Sequence, residues 1–122
     1  MVPMEPDIRK WVDSKGNCPF DIWFNGLASK AAAKVTIAIE RLRAGNTGNL
    51  KALGDGVHEL KIDWGPGYRV YFGRRGATLV VLVGGGDKHR QRSDIAAAKS
   101  RWSEYVSSLR ASADEGDGEP WR

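Results

Sequence analysis

The sequence has few of the residues that build cross-links and metal sites. Its 122 residues include one cysteine, Cys18, and two histidines, His58 and His89. A single cysteine excludes a disulfide within the chain and suits a reducing compartment. So few thiol and imidazole side chains also argue against a zinc site. We therefore expect neither a metal ion nor another cofactor.

Long apolar runs and a secretory signal pattern are also missing. No segment approaches the roughly 20 apolar residues of a membrane-spanning helix. The opening residues, MVPMEPD, carry acids where a signal peptide carries basic residues. Because internal repeats and linker-like stretches are absent too, we expect one cytoplasmic domain over residues 1–110.

Basic charge is plentiful but unevenly distributed. The net charge is +4, yet residues 1–110 hold 18 lysines and arginines against 11 acids, and residues 111–122 hold four acids and one arginine. A basic excess favours a polyanionic partner. The acidic end has little to bury, so we expect residues 111–122 to be disordered. One hypothesis is that Asp114–Glu119 shields the basic face of the free protein.

Residues 57–72 predict a β-hairpin. Apolar and polar residues alternate in Val57–Asp63 and Tyr68–Phe72, and Gly65-Pro66-Gly67 between them is a turn signal. A three-residue loop, with Trp64 opposite Tyr68, turns both apolar sets to one face. The opposite face then receives a polar set: Glu59, Lys61, Asp63, Arg69 and Tyr71.

A third strand is expected over Leu79–Val83, after a turn at Arg74-Arg75-Gly76. Its run LVVLV does not alternate, which is typical of a central strand covered on both sides. The glycines Gly84–Gly86 let the backbone bend at the strand end and approach a neighbour closely. They match neither a P-loop nor a dinucleotide fingerprint, so nucleotide binding is only weakly indicated.

The remaining segments predict one more strand and three helices. The predicted elements are a strand over Asp7–Asp13, a helix over Phe20–Leu27 started by Pro19, a helix over Lys30–Ala44 capped by Ser29 and stopped by Gly45, a loop over residues 45–56, and a last helix from Ser93 or Asp94 to Leu109. The order is strand, two helices, three antiparallel strands and a helix. This indicates an α+β domain, a small antiparallel sheet with helices against one face.

Two stretches at a fixed separation, GVHELKIDWGPGYRVYF and GGGDKHRQRSDIAAAK, resemble the RelE/ParE superfamily of bacterial toxins. The closest resemblance is to its HigB-like group, the addiction-module killer proteins, and it extends from about Asp7 to Tyr105. It implies a RelE-like α+β fold and the toxin half of a type II toxin–antitoxin system. RelE-like members cut mRNA on the ribosome, whereas ParE-like members inhibit DNA gyrase.

The resemblance also implies catalytic positions. The arginine of the GYR motif falls on Arg69, and the second of two alternating basic positions on the preceding strand falls on Lys61. The first falls on an acid, Glu59. The basic position before the last helix falls on Arg90, or on Lys88 in another alignment. The tyrosine that some members carry in that helix has no counterpart here, since Ile95 and Ala96 stand at its place.

A metal-free RNase needs a base for the ribose 2′-hydroxyl, cations for the phosphorane and an acid for the leaving oxygen. Arg69 suits the charge role because a guanidinium forks onto phosphate oxygens; otherwise it pairs with Asp63. Lys61 acts as base or binds phosphate, and Glu59 is the other candidate base. Arg90 is expected to stabilise the transition state.

The other candidates have weaker signals. His89 is a candidate acid or a surface histidine, and Tyr71 stacks an RNA base or is an ordinary strand tyrosine. His58 shares the parity of the apolar residues, which favours the edge of the core. Four basic residues either follow the RNA backbone or are simply solvated: Lys88, Arg92, Arg74 and Arg75.

The favoured interpretation is a ribosome-dependent, metal-independent mRNA endoribonuclease. A HigA-like antitoxin protein, of the helix-turn-helix kind, would neutralise it. The alternative is a non-enzymatic, ParE-like inhibitor of DNA gyrase or another protein. A third interpretation is a basic nucleic-acid-binding module without toxicity.

Overall fold

The computed structural model describes residues 5–112 and 118–121. Within these ranges the chain forms six strands, three α-helices and one short 3₁₀ helix. In chain order they are β1 (Asp7–Lys10), α1 (Pro19–Asn25), α2 (Ser29–Arg43), β2 (Leu50–Gly54), β3 (Val57–Ile62), β4 (Tyr68–Arg75), β5 (Leu79–Gly86), the 3₁₀ helix (Lys88–Arg90), α3 (Gln91–Ser112) and β6 (Glu119–Pro120).

The strands form one mixed sheet in the order β2-β3-β4-β5-β1-β6. Strands β2 to β5 make an antiparallel meander, whereas β1 pairs in parallel with β5, with Asp7 opposite Leu79. The predicted α+β class is confirmed, but the purely antiparallel sheet is wrong. Parallel pairing needs a long crossover, and the helices and meander between β1 and β5 supply one.

Helices cover both faces of this sheet. On one face, Phe20, Val35 and Ile39 of α1 and α2 belong to the same buried cluster as the even-numbered residues of β3 and β4. On the other, Trp102 and Tyr105 of α3 pack with the odd-numbered residues of the central strands. The prediction of helices against one face is therefore wrong. The run LVVLV, apolar on both sides, already required two layers.

The β3–β4 hairpin has the predicted parity but another register. Ile62 pairs with Tyr68 and Leu60 with Val70, so the predicted pairing of Trp64 with Tyr68 is wrong by two residues. The turn is longer because Gly65 and Gly67 both take positive φ, and Trp64 folds back to stack on the Tyr68 ring. A shift of two keeps every side chain on its predicted face.

Several predicted boundaries also change. The expected loop 45–56 contains the edge strand β2, and the first strand ends at Lys10. Helix α1 starts at Pro19 as predicted, but Ser29 is already inside α2, and Ala28 holds the N-cap position without a side-chain hydrogen bond. Ser93 does not cap α3, since its hydroxyl donates to the carbonyl of Arg90 and the helix begins at Gln91.

The three glycines predicted to bend the chain instead continue β5 to its end. A Cβ atom on Gly85 would overlap the Trp23 ring, and one on Gly86 would overlap the Asp94 carboxylate. The close approach predicted for these glycines therefore involves the helices on both sides of the sheet.

The C-terminal segment departs furthest from expectation. Residues 118–121 are ordered: β6 pairs with β1, and Trp121 is buried in the α1/α2 core. The expected disorder of 111–122 is wrong for residues 111–112, which belong to α3, and for these four residues, because one large indole outweighs the acidic composition around it. Residues 114–117 of the hypothetical acidic shield lie outside the described residues.

Among the helices that the structure describes, none is long and apolar enough to cross a membrane.

Candidate functional site

The predicted catalytic residues of β3 and β4 converge on the face that α3 covers. Lys61 lies directly opposite Arg69, and Glu59 lies opposite Tyr71. Arg69 is in turn paired with Gly86, the last residue of β5. The chain then enters the 3₁₀ helix Lys88–Arg90, so its basic residues follow directly at the same end of the sheet.

A buried carboxylate anchors the central arginine. The Glu59 side chain is 5% exposed, and its Oε1 lies 3.3 Å from Nε of Arg69. The same oxygen accepts a 3.0 Å hydrogen bond from the Gln91 amide. Arg69 also donates from Nη1 to the Gly67 carbonyl at 2.9 Å. The guanidinium is thus fixed at two points, and its contact with Glu59 is ionic rather than an aligned hydrogen bond.

Tyr71 lies beneath α3 and does not reach the surface. The residue is fully buried, and its hydroxyl has no hydrogen-bond partner within the described part of the chain. Burial raises the pKa of the phenol strongly, and the Glu59 carboxylate raises it further. The prediction that Tyr71 stacks an RNA base is wrong, because the side chain belongs to the same buried cluster as Trp102 and Tyr105.

Four cations of β3, the 3₁₀ helix and the first turn of α3 are exposed, and we call them the basic rim: Lys61, Lys88, Arg90 and Arg92. The Lys61 side chain is 49% exposed and lies 3.4 Å from the Asp63 carboxylate. Its backbone is separated from the end of β5 by one strand, or about 10 Å. The basic rim therefore offers several cations within the span of a short RNA segment.

The predicted acid, His89, is also exposed beside the rim. Its Nδ1 lies 3.1 Å from the Asp87 carboxylate, which additionally accepts from the His89 backbone N–H at 2.8 Å. That backbone hydrogen bond is the largest cause of the lowered pKa of Asp87. Asp87 is therefore an anion that orients the ring of His89.

Arg74 and Arg75 do not join the cluster. They lie at the far end of β4, five and six residues from Arg69 or about 17–20 Å along the extended chain, and Arg74 donates to the Gly76 carbonyl. That they follow the RNA backbone, rather than being simply solvated, stays a prediction. His58 stacks on Phe72 on the α1/α2 side, at the core edge as predicted. Burial, followed by the Arg74 charge, lowers the pKa of His58.

No family model matches the chain. An uncharacterized protein of Haemophilus influenzae is 44% identical to it over 89 residues, which cover 72% of this chain and 90% of that protein. The chain belongs to the family of this Haemophilus protein. The aligned residues therefore include the greater part of the fold described above.

In this member of the family, α3 contributes three polar residues that sequence reasoning missed: Gln91, Asp94 and Arg101. Arg101 donates to the Val83 carbonyl at 2.8 Å, and burial lowers the pKa of its guanidinium. Burial raises the pKa of Asp94, and the Arg90 charge opposes that shift. The signal was their spacing of three and seven residues, which puts them on one helical face with Ala98 and Tyr105.

The described residues hold no group of three or more His, Cys, Asp or Glu side chains that could bind a metal ion. What the site does offer is a fixed arginine, a buried acid and an exposed basic rim. Guanidinium and ammonium groups are the side chains that proteins use to contact phosphate oxygens.

Proposed function

We propose that the protein is the toxin of a type II toxin–antitoxin system, of the RelE/ParE superfamily and its HigB-like group. Its proposed activity is ribosome-dependent, metal-independent cleavage of mRNA. The observation that carries this proposal is the direct cross-strand pairing of Lys61 with Arg69 beside the 3₁₀ helix that bears Arg90. The resemblance assigns functional cations to these three positions.

The proposed reaction is an internal transfer. The 2′-oxygen bonds to phosphorus, the bond from phosphorus to the 5′-oxygen breaks, and a 2′,3′-cyclic phosphate and a 5′-hydroxyl result. One proton leaves the 2′-hydroxyl for a base, and one reaches the 5′-oxygen from an acid. Arg69 and Arg90 offset the charge of the phosphorane.

Accessibility separates the two candidate bases. The Glu59 oxygen Oε1 is already engaged by Gln91 and Arg69, and its side chain is nearly sealed. Lys61 is half exposed and stands opposite Arg69. We therefore assign Glu59 to positioning Arg69 and Lys61 to the phosphate or the 2′-hydroxyl.

The burial of Arg69 is also compatible with a second candidate function, that of a binding protein. Arg69 is only 11% exposed and is committed to Glu59, which suits a rigid binding surface as well as a catalytic one. A non-enzymatic, ParE-like inhibitor of DNA gyrase or another protein would present the basic rim to its target. In both cases a HigA-like antitoxin protein would neutralise the toxin by covering the rim.

Brief induction in cells followed by primer extension on transcripts tests the proposal. We compare the wild type with Lys61→Ala and Arg90→Ala, whose side chains are exposed and whose loss should not unfold the protein. Arg41→Ala, exposed on α2 in the other layer, is the matched control. The expected result is growth arrest with new 5′ ends for the wild type and the control, and a loss of cleavage of about 100-fold for each rim variant.

Other outcomes discriminate between the functions. Growth arrest with intact transcripts and a DNA-damage response would replace the RNase by the gyrase inhibitor. Unimpaired growth on induction of the wild type would contradict both. Cleavage that persists without translating ribosomes would contradict ribosome dependence alone.

A further inference from the structure

The C-terminal residues occupy a groove between the edge of β1 and helices α1 and α2. The Trp121 ring contacts Phe20 and Phe24 edge-on, at centroid distances of 5.2 and 5.7 Å. Its indole N–H donates a 2.8 Å hydrogen bond to the Glu40 carboxylate, and the residue is 8% exposed. The groove thus recognises both the apolar body and the polar edge of an indole.

The backbone of the same segment is held far less firmly. Strand β6 has two residues and pairs with two of the four residues of β1, Arg9 with Pro120 and Lys10 with Glu119. Pro120 lies opposite Arg9 at a position without ladder hydrogen bonds, because Asp7 and Trp11, two residues to either side, donate towards β5. Beyond the ladder, the Trp121 N–H donates to the Ile8 carbonyl at 2.9 Å. The side chain of Trp121 is therefore the main anchor.

The groove extends past this anchor. An open cavity of about 370 Å³ adjoins Trp121 and is lined by Lys10, Asp21, Phe24, Asn25 and Thr36. Lys10 and Asp21 form an ion pair of 3.0 Å at its border. A longer extended peptide would find room here for a further side chain, and an ion pair with which its polar groups can bond.

We infer that the β1 edge and the aromatic pocket behind it form a docking site for an extended, tryptophan-bearing peptide of a partner protein. In the free protein residues 118–121 occupy this site, and the partner peptide displaces them. A partner peptide that carries the same indole and extends past it into the adjoining cavity gains contacts that residues 118–121 do not make. The inference does not depend on the proposed RNase activity.

Amide exchange on the wild-type protein tests whether the segment detaches by itself. The amide of Trp121 and its indole N–H should exchange at least about 100-fold faster than the Val81 and Leu82 amides of the central strand, because local opening costs less than global unfolding. Exchange of Trp121 at the rate of these core amides would make it an ordinary part of the cooperative core. That result would overturn the inference.

A peptide added in trans tests the docking site. The Trp121→Ala full-length variant leaves the pocket free for an acetylated, amidated peptide Gly-Glu-Val-Trp. Amide resonances of Ile8–Lys10 and Phe20–Phe24 should shift at millimolar peptide and saturate at concentrations about tenfold lower than in the wild type, whose own segment competes. The peptide Gly-Glu-Val-Ala is the control and should cause no shift.

The remaining outcomes decide against the inference. Absence of these shifts, or equal titrations of the two proteins, would contradict a displaceable ligand. If Trp121→Ala does not fold, the exchange measurement on the wild type still decides. A wild-type dimer that Trp121→Ala turns into a monomer would identify the occupant as the segment of a second copy, and would overturn the partner peptide.

Discussion

Removing the positive partner of Glu59 should be costly because the carboxylate is nearly sealed from water. Arg69→Met keeps the length and the apolar stem of the side chain but leaves Glu59, 5% exposed, with only the Gln91 amide. Breaking a buried ion pair from one side costs about 3–5 kcal/mol. We expect about 3 kcal/mol, the lower limit, since Arg69 is 11% exposed and water can reach part of its place.

The reverse substitution should cost less. Glu59→Gln keeps an oxygen that accepts from Gln91, and Arg69 keeps its hydrogen bond to the Gly67 carbonyl. We expect a loss of about 1–2 kcal/mol. The double variant removes both charges, so its loss should be smaller than the sum of the two single losses by about 1–3 kcal/mol.

Urea unfolding at 25 °C, followed by tryptophan fluorescence, measures all four proteins in this cycle. Arg92→Met is the matched control, an identical substitution at an exposed position of α3, and should change the free energy of unfolding by less than about 0.5 kcal/mol. If the single losses add in the double variant, or if Arg69→Met costs no more than the control, Glu59 and Arg69 are not coupled in solution. The positioning role assigned to Glu59 would then be wrong.

Three further predictions use the same unfolding assay. Gly85→Ala should lose about 2 kcal/mol because its Cβ meets the Trp23 ring, while Gly48→Ala, which has only an Asn46 contact at 3.5 Å, should change little. Tyr71→Phe should leave stability unchanged or raise it by up to about 1 kcal/mol, since the buried hydroxyl has no partner among the described residues; a clear loss would indicate a hydrogen bond. Burial raises the pKa of Asp94 above 3.8, so its charge disfavours the folded state at neutral pH. Asp94→Asn should therefore be the more stable protein at pH 7, and that advantage should shrink as the pH falls through the raised pKa towards 3.8; a constant difference would contradict the shift.

Local pattern predicted the elements better than their arrangement. Alternation in β3 and β4 placed Lys61 and Arg69 on one face, because strand parity follows directly from the order of residues. The exact register did not follow, since Gly65 and Gly67 both adopt positive φ and lengthen the turn. Turn conformation depends on the whole loop rather than on one proline.

The sequence did not predict that α3 covers the candidate site. The odd-numbered positions of β3 and β4 are largely polar, and this pattern predicts a face open to solvent. The odd positions of β5, Val81 and Val83, are apolar, and α3 packs on them. The polar residues of β3 and β4 therefore lie beneath α3, where Glu59 and Tyr71 are buried.

Average composition also failed to predict the structural role of single residues. An acidic, glycine-containing segment predicts disorder on average, yet Trp121 alone supplies enough apolar area to hold its neighbours in place. Arg101 had no role in the sequence analysis. Its hydrogen bond to the Val83 carbonyl depends on the absence of a side chain at Gly84, which no local pattern reveals.

The position of β1 has a consequence for the order of assembly. This strand precedes the other described strands in the chain, but it lies between β5 and β6, which come much later. The meander β2–β5 can form from contacts between neighbours in sequence, whereas β1 must wait with Ile8 unburied until β5 has left the ribosome. Contacts so distant in the chain are slow to close. A nascent chain halted before Leu79 would therefore expose its first strand, and such a chain is a natural substrate for chaperones.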